Sequence, residues 1–133
     1  MIITKAQLIK DCLQIGGEDA VVYYPYGPDC EVLKNAKGKG YALMGVLTVQ
    51  EIASIKSKDD PNAPIDEGDI FLTVKCPPKF IISLRDKYAA VIPGYYSNKN
   101  HWNTIILNKD VPYEEVLKMV QLSYDLVTPK PKK

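Results

Sequence analysis

Between Pro93 and Thr104 the chain gathers its only histidine, its only tryptophan, two tyrosines, three asparagines and a lysine. An indole, a phenol and an imidazole can stack on nucleic-acid bases while an ammonium neutralises a phosphate. Tyr95, Lys99, His101 and Trp102 are therefore candidate nucleic-acid contacts. Lys130, Lys132 and Lys133 at the C-terminus could add phosphate contacts, or could form no more than a solvated tail. The same residue types also suit a structural role. Trp102 can open a strand and fill core, and Asn98, Asn100 and Asn103 can hold a tight turn, because asparagine pairs with nearby backbone and tolerates left-handed angles. The two roles are compatible, since a rigid turn can still present Lys99 and His101.

Other chemistries lack their parts. Arg85 is the only arginine, so bidentate reading of guanine has almost no candidate, and any contact with DNA should be weak, salt-dependent and indifferent to sequence. A single histidine would have to serve any serine or cysteine nucleophile, and no GxSxG elbow presents a serine. Gly38-Lys39-Gly40 lacks the frame of a phosphate loop and reads as a hairpin turn. Cys12, Cys30 and Cys76 are widely spaced with no CxxC pair, which suits reduced thiols in a cytoplasmic protein rather than a zinc site. Asp59-Asp60 and Asp66-Glu67-Asp69 miss the spacing of a calcium loop. The expectation is a non-catalytic protein with no cofactor and no metal. The nine tyrosines also suggest a shallow aromatic groove between the Tyr24–Tyr26 and Tyr95–Tyr96 segments.

These residues need a scaffold. Thr4 with Gln7 fits a capping box, Leu8, Ile9, Cys12 and Leu13 share one helical face, and Gly16-Gly17 ends that helix. Ala20 to Tyr24, Cys30 to Lys34 and Tyr41 to Leu47 are short apolar runs between turn residues, the pattern of an antiparallel meander. Ile70 to Val74 is a further strand. Cys76-Pro77-Pro78 breaks it and lets a second helix start, with Phe80, Ile81, Leu84 and Tyr88 at helical spacing. Pro93-Gly94 reverses the chain, and Trp102 to Leu107 is strand-like. Asp110 and Pro112 announce a last helix with a buried stripe of Val116, Leu117, Val120, Tyr124 and Val127. Residues 128–133 form a Lys-rich tail. The stretch of about residues 54–69, acidic and containing Pro61 and Pro64, reads as a surface loop or insertion.

With 133 residues, 46% hydrophobic and 25% charged, the chain reads as one soluble domain, residues 1–133, that can build a core without staples. It has no membrane-length apolar run. The net charge of +1 hides an uneven distribution. Residues 48–69 hold two lysines against six acidic side chains, whereas residues 70–133 hold ten basic groups against five acidic ones. The basic half contains the 93–104 segment.

The 93–104 segment, with His101-Trp102-Asn103-Thr104 at its core, resembles the signature of the MmcQ/YjbR-like family of small bacterial proteins, often labelled DNA-binding. Tyr24-Pro25-Tyr26-Gly27-Pro28, Gly40-Tyr41-Ala42-Leu43, Val74-Lys75-Cys76, Leu84-Arg85-Asp86-Lys87-Tyr88 and Leu122 to Val127 extend the resemblance over nearly the whole chain. It implies an α+β domain of two layers, an antiparallel sheet covered by helices, related in outline to type III secretion chaperones. Two roles follow as expectations: weak, sequence-tolerant DNA binding through residues 94–102 and the basic tail, or a protein-interaction module that uses an exposed sheet edge or aromatic groove. The acidic stretch after Leu47 is longer than the family pattern implies.

Overall fold

The computed structural model describes residues 2–58, 61–94 and 98–129. Thr4 caps helix α1 (Lys5–Gly16) by accepting a hydrogen bond from the Gln7 amide, as the Thr4-x-x-Gln7 spacing predicts. Strands β1 (Val21–Tyr23), β2 (Cys30–Lys34) and β3 (Gly40–Val46) follow, then helix α2 (Val49–Lys58) and strand β4 (Ile70–Lys75). Helix α3 (Pro78–Lys87), strands β5 (Val91–Pro93) and β6 (Trp102–Ile106) and helix α4 (Tyr113–Val127) complete the chain. The strands form one antiparallel sheet in the order β1-β2-β3-β4-β6-β5, so the fold is α+β as expected.

Register explains why the central strands are apolar throughout. Met44, Leu72, Ile105 and Val91 lie opposite one another across β3, β4, β6 and β5 and share one face. Leu43, Thr73, Thr104 and Ile92 form the adjacent row on the other face. Both rows are buried, so the middle of the sheet is covered on both sides. The two threonine hydroxyls in the second row, 2.7 Å apart, satisfy each other. Helix α4 is fastened across the sheet by Ser123, whose hydroxyl donates to the Tyr41 carbonyl at 2.7 Å and accepts from the Lys75 amide at 2.9 Å. Tyr41 in turn donates to the Cys12 carbonyl on α1 and meets the Tyr124 ring edge-on. The buried positions of α4 are Val116, Met119, Val120 and Ser123, with Leu117, Tyr124 and Val127 only half-buried.

Three expectations need correction. The loop expected at 54–69 contains the end of α2, which continues to Lys58 with Ile55 only 1% exposed. A reciprocal capping box starts that helix: the Thr48 amide donates to Glu51 Oε1 and the Glu51 amide to Thr48 Oγ1. Ala63 and Ile65 beyond it are core residues, and backbone bonds from Leu47 to Asp69 and from Gly68 to Leu47 close the excursion at its base. It is an anchored element rather than a detachable insertion. The second correction is β5, three residues that pair with β6 just before the Pro93-Gly94 turn. The third is Asp110, which does not cap α4: its carboxylate accepts the Ala89 and Ala90 amides and shapes the entry to β5.

Ile65→Ala should therefore cost about 2–4 kcal/mol in chemical denaturation, the range for truncating a buried isoleucine. A loss below about 0.5 kcal/mol would mean that the segment does not pack on the body. The buried acids make a second prediction. Burial, with a smaller contribution from Asp11, raises the Cys12 thiol from 9.0 to about 12, and burial also raises the Tyr41 and Tyr113 phenols above their ordinary value of 10.0. The native state keeps these protons at pH values where the unfolded chain releases them, so stability is full below pH 9 and falls as pH rises beyond it. Thermal unfolding followed from pH 7 to 11 should give a flat Tm up to about 9 and a steady decline above.

Candidate functional site

The corner around residues 98–103 is built by three segments. β6 pairs with β4 so that Trp102 lies opposite Lys75, and the Cys76 amide donates to the His101 carbonyl at 2.8 Å. On the other side, the Gly94 amide donates to the Trp102 carbonyl at 3.1 Å. Gly94 must be glycine because a Cβ there would lie 2.8 Å from both the Trp102 Cβ and its carbonyl oxygen. Within the turn, Asn98 Oδ1 accepts the Asn100 amide, and the Asn98 carbonyl accepts the His101 amide. Asparagine thus has the turn-forming role that its side chain suits.

Arg85, on the last turn of α3, ties the corner together. Its Nε donates to Asn103 Oδ1 at 2.7 Å, and its Nη2 donates to the Lys99 carbonyl at 2.6 Å and the Trp102 carbonyl at 3.3 Å. A planar guanidinium can reach three acceptors in fixed directions, which an ammonium on a flexible stem cannot do. Asn103 is 1% exposed, and its Nδ2 has no hydrogen-bond partner among the described residues, which makes the Arg85 contact with its oxygen the more valuable. The only arginine is therefore a structural clamp.

The clamp determines where the expected site residues stand. Lys99 and His101 are exposed on the turn, and Trp102 is half-buried at the start of β6. Trp102 thus opens a strand, as its structural role predicted, without filling the core. Lys99 Nζ lies 3.5 Å from the Gly94 carbonyl. Tyr95, Lys130, Lys132 and Lys133 lie outside the described residues. Lys75, which the sequence reading did not single out as a contact, joins the corner through its pairing with Trp102. The signal was present, since Val74-Lys75-Cys76 belongs to the same pattern of segments as the turn.

Of the aromatic groove expected between Tyr24–Tyr26 and Tyr95–Tyr96, the second segment lies outside the described residues. Tyr24–Tyr26 follow β1 at one edge of the sheet, and β5 forms the opposite edge. Five strand spacings of about 4.8 Å separate the two edges, roughly 24 Å. A groove does exist on the β1 side, between the β1–β2 connection and the ends of β3 and β4, and it encloses about 530 Å³. Its Cys30 thiol is held up in pKa by burial and by Glu31 and Glu51, with Lys5 opposing, while burial raises the Cys76 thiol despite Arg85. Both thiols are thereby kept in their protonated, weakly nucleophilic form.

The family model described as YjbR matches residues 18–126, which includes the whole corner. The chain belongs to the YjbR family. Among curated relatives, the uncharacterised protein YyaQ of Bacillus subtilis is 35% identical over 60 residues, covering 44% of this chain and 50% of YyaQ. The YjbR chain thus aligns with about half the length of that relative. Among solved structures it is similar to a Pseudomonas syringae protein with a TM-score of 0.72 at 23% identity, covering 93% of this chain and 98% of that one. It is also similar to DR2400 of Deinococcus radiodurans, a DUF419 domain, with a TM-score of 0.70 at 25% identity, covering 99% and 83%. These neighbours share its fold.

In this YjbR chain, Arg85→Ala should cost about 2–3 kcal/mol in chemical denaturation, because a charged donor is lost and the buried Asn103 oxygen is left without it. Arg85→Lys should recover less than half of that loss. An Arg85→Ala variant as stable as the parent would show that the clamp contributes nothing to the fold.

Proposed function

We propose that this protein is a non-catalytic binding protein that contacts nucleic acid weakly and without sequence preference through the corner of Lys75, Lys99, His101 and Trp102. The observation that carries the reading is the clamped turn, which holds exposed Lys99 and His101 beside the half-buried indole with little conformational freedom left to lose on binding. The surrounding charge supports it: from Ile70 to Lys109 the chain has six basic residues and a single acidic one, Asp86. In this reading the lysines neutralise phosphates and the indole offers a stacking surface to an unpaired base. Because Arg85 is engaged with loop carbonyls, recognition of base edges has no arginine to carry it. Tyr95, Lys130, Lys132 and Lys133 belong to this reading by residue type alone, a stacking ring and three phosphate-neutralising charges.

Free thiols at Cys12, Cys30 and Cys76 and relatives of bacterial origin support a role in the bacterial cytoplasm. No helix among the described residues is long and apolar enough to cross a membrane.

Trp102 is the only tryptophan, so its emission reports on the corner directly. Titration with oligo(dT) at low salt should quench that emission with a Kd in the micromolar range or weaker. With about three phosphates neutralised, affinity should fall roughly tenfold to fiftyfold between 50 and 200 mM salt. Lys75→Ala and Lys99→Ala should each weaken binding and flatten the salt dependence, and labelled duplexes of different sequence should bind alike. Absence of quenching and of any anisotropy change at low salt would overturn the proposal, as would tight binding to one sequence.

A further inference from the structure

The groove beside the β1–β2 connection lies at the end of β4 opposite Lys75 and the basic corner, and nothing in the proposed function uses it. Phe71, 2% exposed, lies at its base, Val46 and Cys30 line it, and Tyr26 stands over it as a lip that is 72% exposed. Its 530 Å³ falls inside the range of roughly 300–1,000 Å³ found for pockets that hold a ligand or an anchoring side chain. The lip is preshaped: Tyr24-Pro25-Tyr26-Gly27-Pro28 has two prolines that fix backbone angles, and Gly27 has a φ of 112° that other residues rarely adopt.

The rim decides what could enter. Asp29 and Glu51 border the apolar floor, and among the described residues no lysine or arginine lines the groove. The nearby cation, Lys5, is already committed: its Nζ sits 3.0 Å from the buried Glu31 Oε1 and donates to the Asp29 carbonyl. Burial is the main cause of the raised Cys30 thiol, and Glu31 and Glu51 add to it while Lys5 opposes them. An apolar floor with an acidic rim complements an apolar side chain flanked by positive charge, and repels nucleic acid.

We infer that this groove docks a segment of a partner protein, one carrying an aromatic or large aliphatic anchor next to lysine or arginine. The anchor lies on Phe71 and Val46 under the Tyr26 ring, and the basic neighbours face Asp29 and Glu51. Tyr26 is suited to this role because a tyrosine lip gives a large contact area at small entropic cost.

Three short fluorescent peptides make the test: Lys-Lys-Trp-Lys-Lys, Glu-Glu-Trp-Glu-Glu and Lys-Lys-Ala-Lys-Lys, each titrated into the full chain with binding read by anisotropy and mapped by amide chemical shifts. The first should bind saturably and move the amides of residues 26–30 and 46–51, and the other two should bind at least tenfold more weakly. Tyr26→Ala should weaken the first peptide by about tenfold. Glu51→Gln, which keeps an acceptor for the Thr48 amide and so preserves the helix cap, should weaken it a few-fold. Oligo(dT) quenching of Trp102 should be the same in both variants, which separates this site from the basic corner. Equal binding of the acidic and basic peptides overturns the inference, as does a shift pattern centred on residues 98–103, or no binding at millimolar peptide. Concentration-dependent self-association that shifts the groove residues overturns it too, since the occupant would then be a second copy.

Discussion

One guanidinium holds together the part of this molecule that carries its most distinctive residues. Arg85 projects from the end of α3 and fixes the Lys99 and Trp102 carbonyls and the Asn103 amide oxygen, three acceptors from a single stretch of chain. Without it, the buried Asn103 amide oxygen would lose its charged donor, and the Lys99 and Trp102 carbonyls would lose the link that ties the turn to α3. With it, the turn becomes a continuation of β6, and the Gly94 and Cys76 amides bracket it from the two neighbouring strands. The invariant demand is geometric: a flat, forked, permanently charged donor at this place, and a glycine at 94 to let β5 approach.

The sheet order then divides the molecule into two chemically different ends. β4, β6 and β5, with α3, form the basic end, in which clamped backbone displays Lys75, Lys99 and His101. The β1–β2 connection, with the far ends of β3 and β4 and the start of α2, forms an end where an apolar groove is bordered by Asp29 and Glu51. A net charge of +1 therefore conceals two surfaces of opposite character on one small domain.

Much of this was legible locally. Thr4 and Gln7 marked the start of α1, the apolar runs between turn residues marked β1 to β4 and β6, and Pro77-Pro78 marked the start of α3, since each signal lies within a few residues of the element it specifies. α2 was lost because its charged second half and following prolines outweighed the Thr48-x-x-Glu51 box and the Ile52–Ile55 spacing that announce it. β5 is too short to show a period and ends in a proline. The roles of Arg85 and Asp110 were out of reach for a different reason. Their partners lie 14 to 21 residues away, and only the order of strands, set by long-range pairing, brings them together. The same non-local ordering separates Tyr24–Tyr26 from β5, which no local pattern could reveal.

A preformed binding corner must already be rigid in the free protein, and native-state amide hydrogen exchange tests this most directly. The Gly94 and Cys76 amides should exchange with opening free energies close to those of Leu72 and Ile105 in the sheet centre, because they bond to a turn held by Arg85. If those two amides instead exchange almost as fast as an unprotected chain while Leu72 and Ile105 remain protected, the clamp does not hold in solution. The 98–103 segment would then be an ordinary mobile turn, and the basic corner would not be a preformed site.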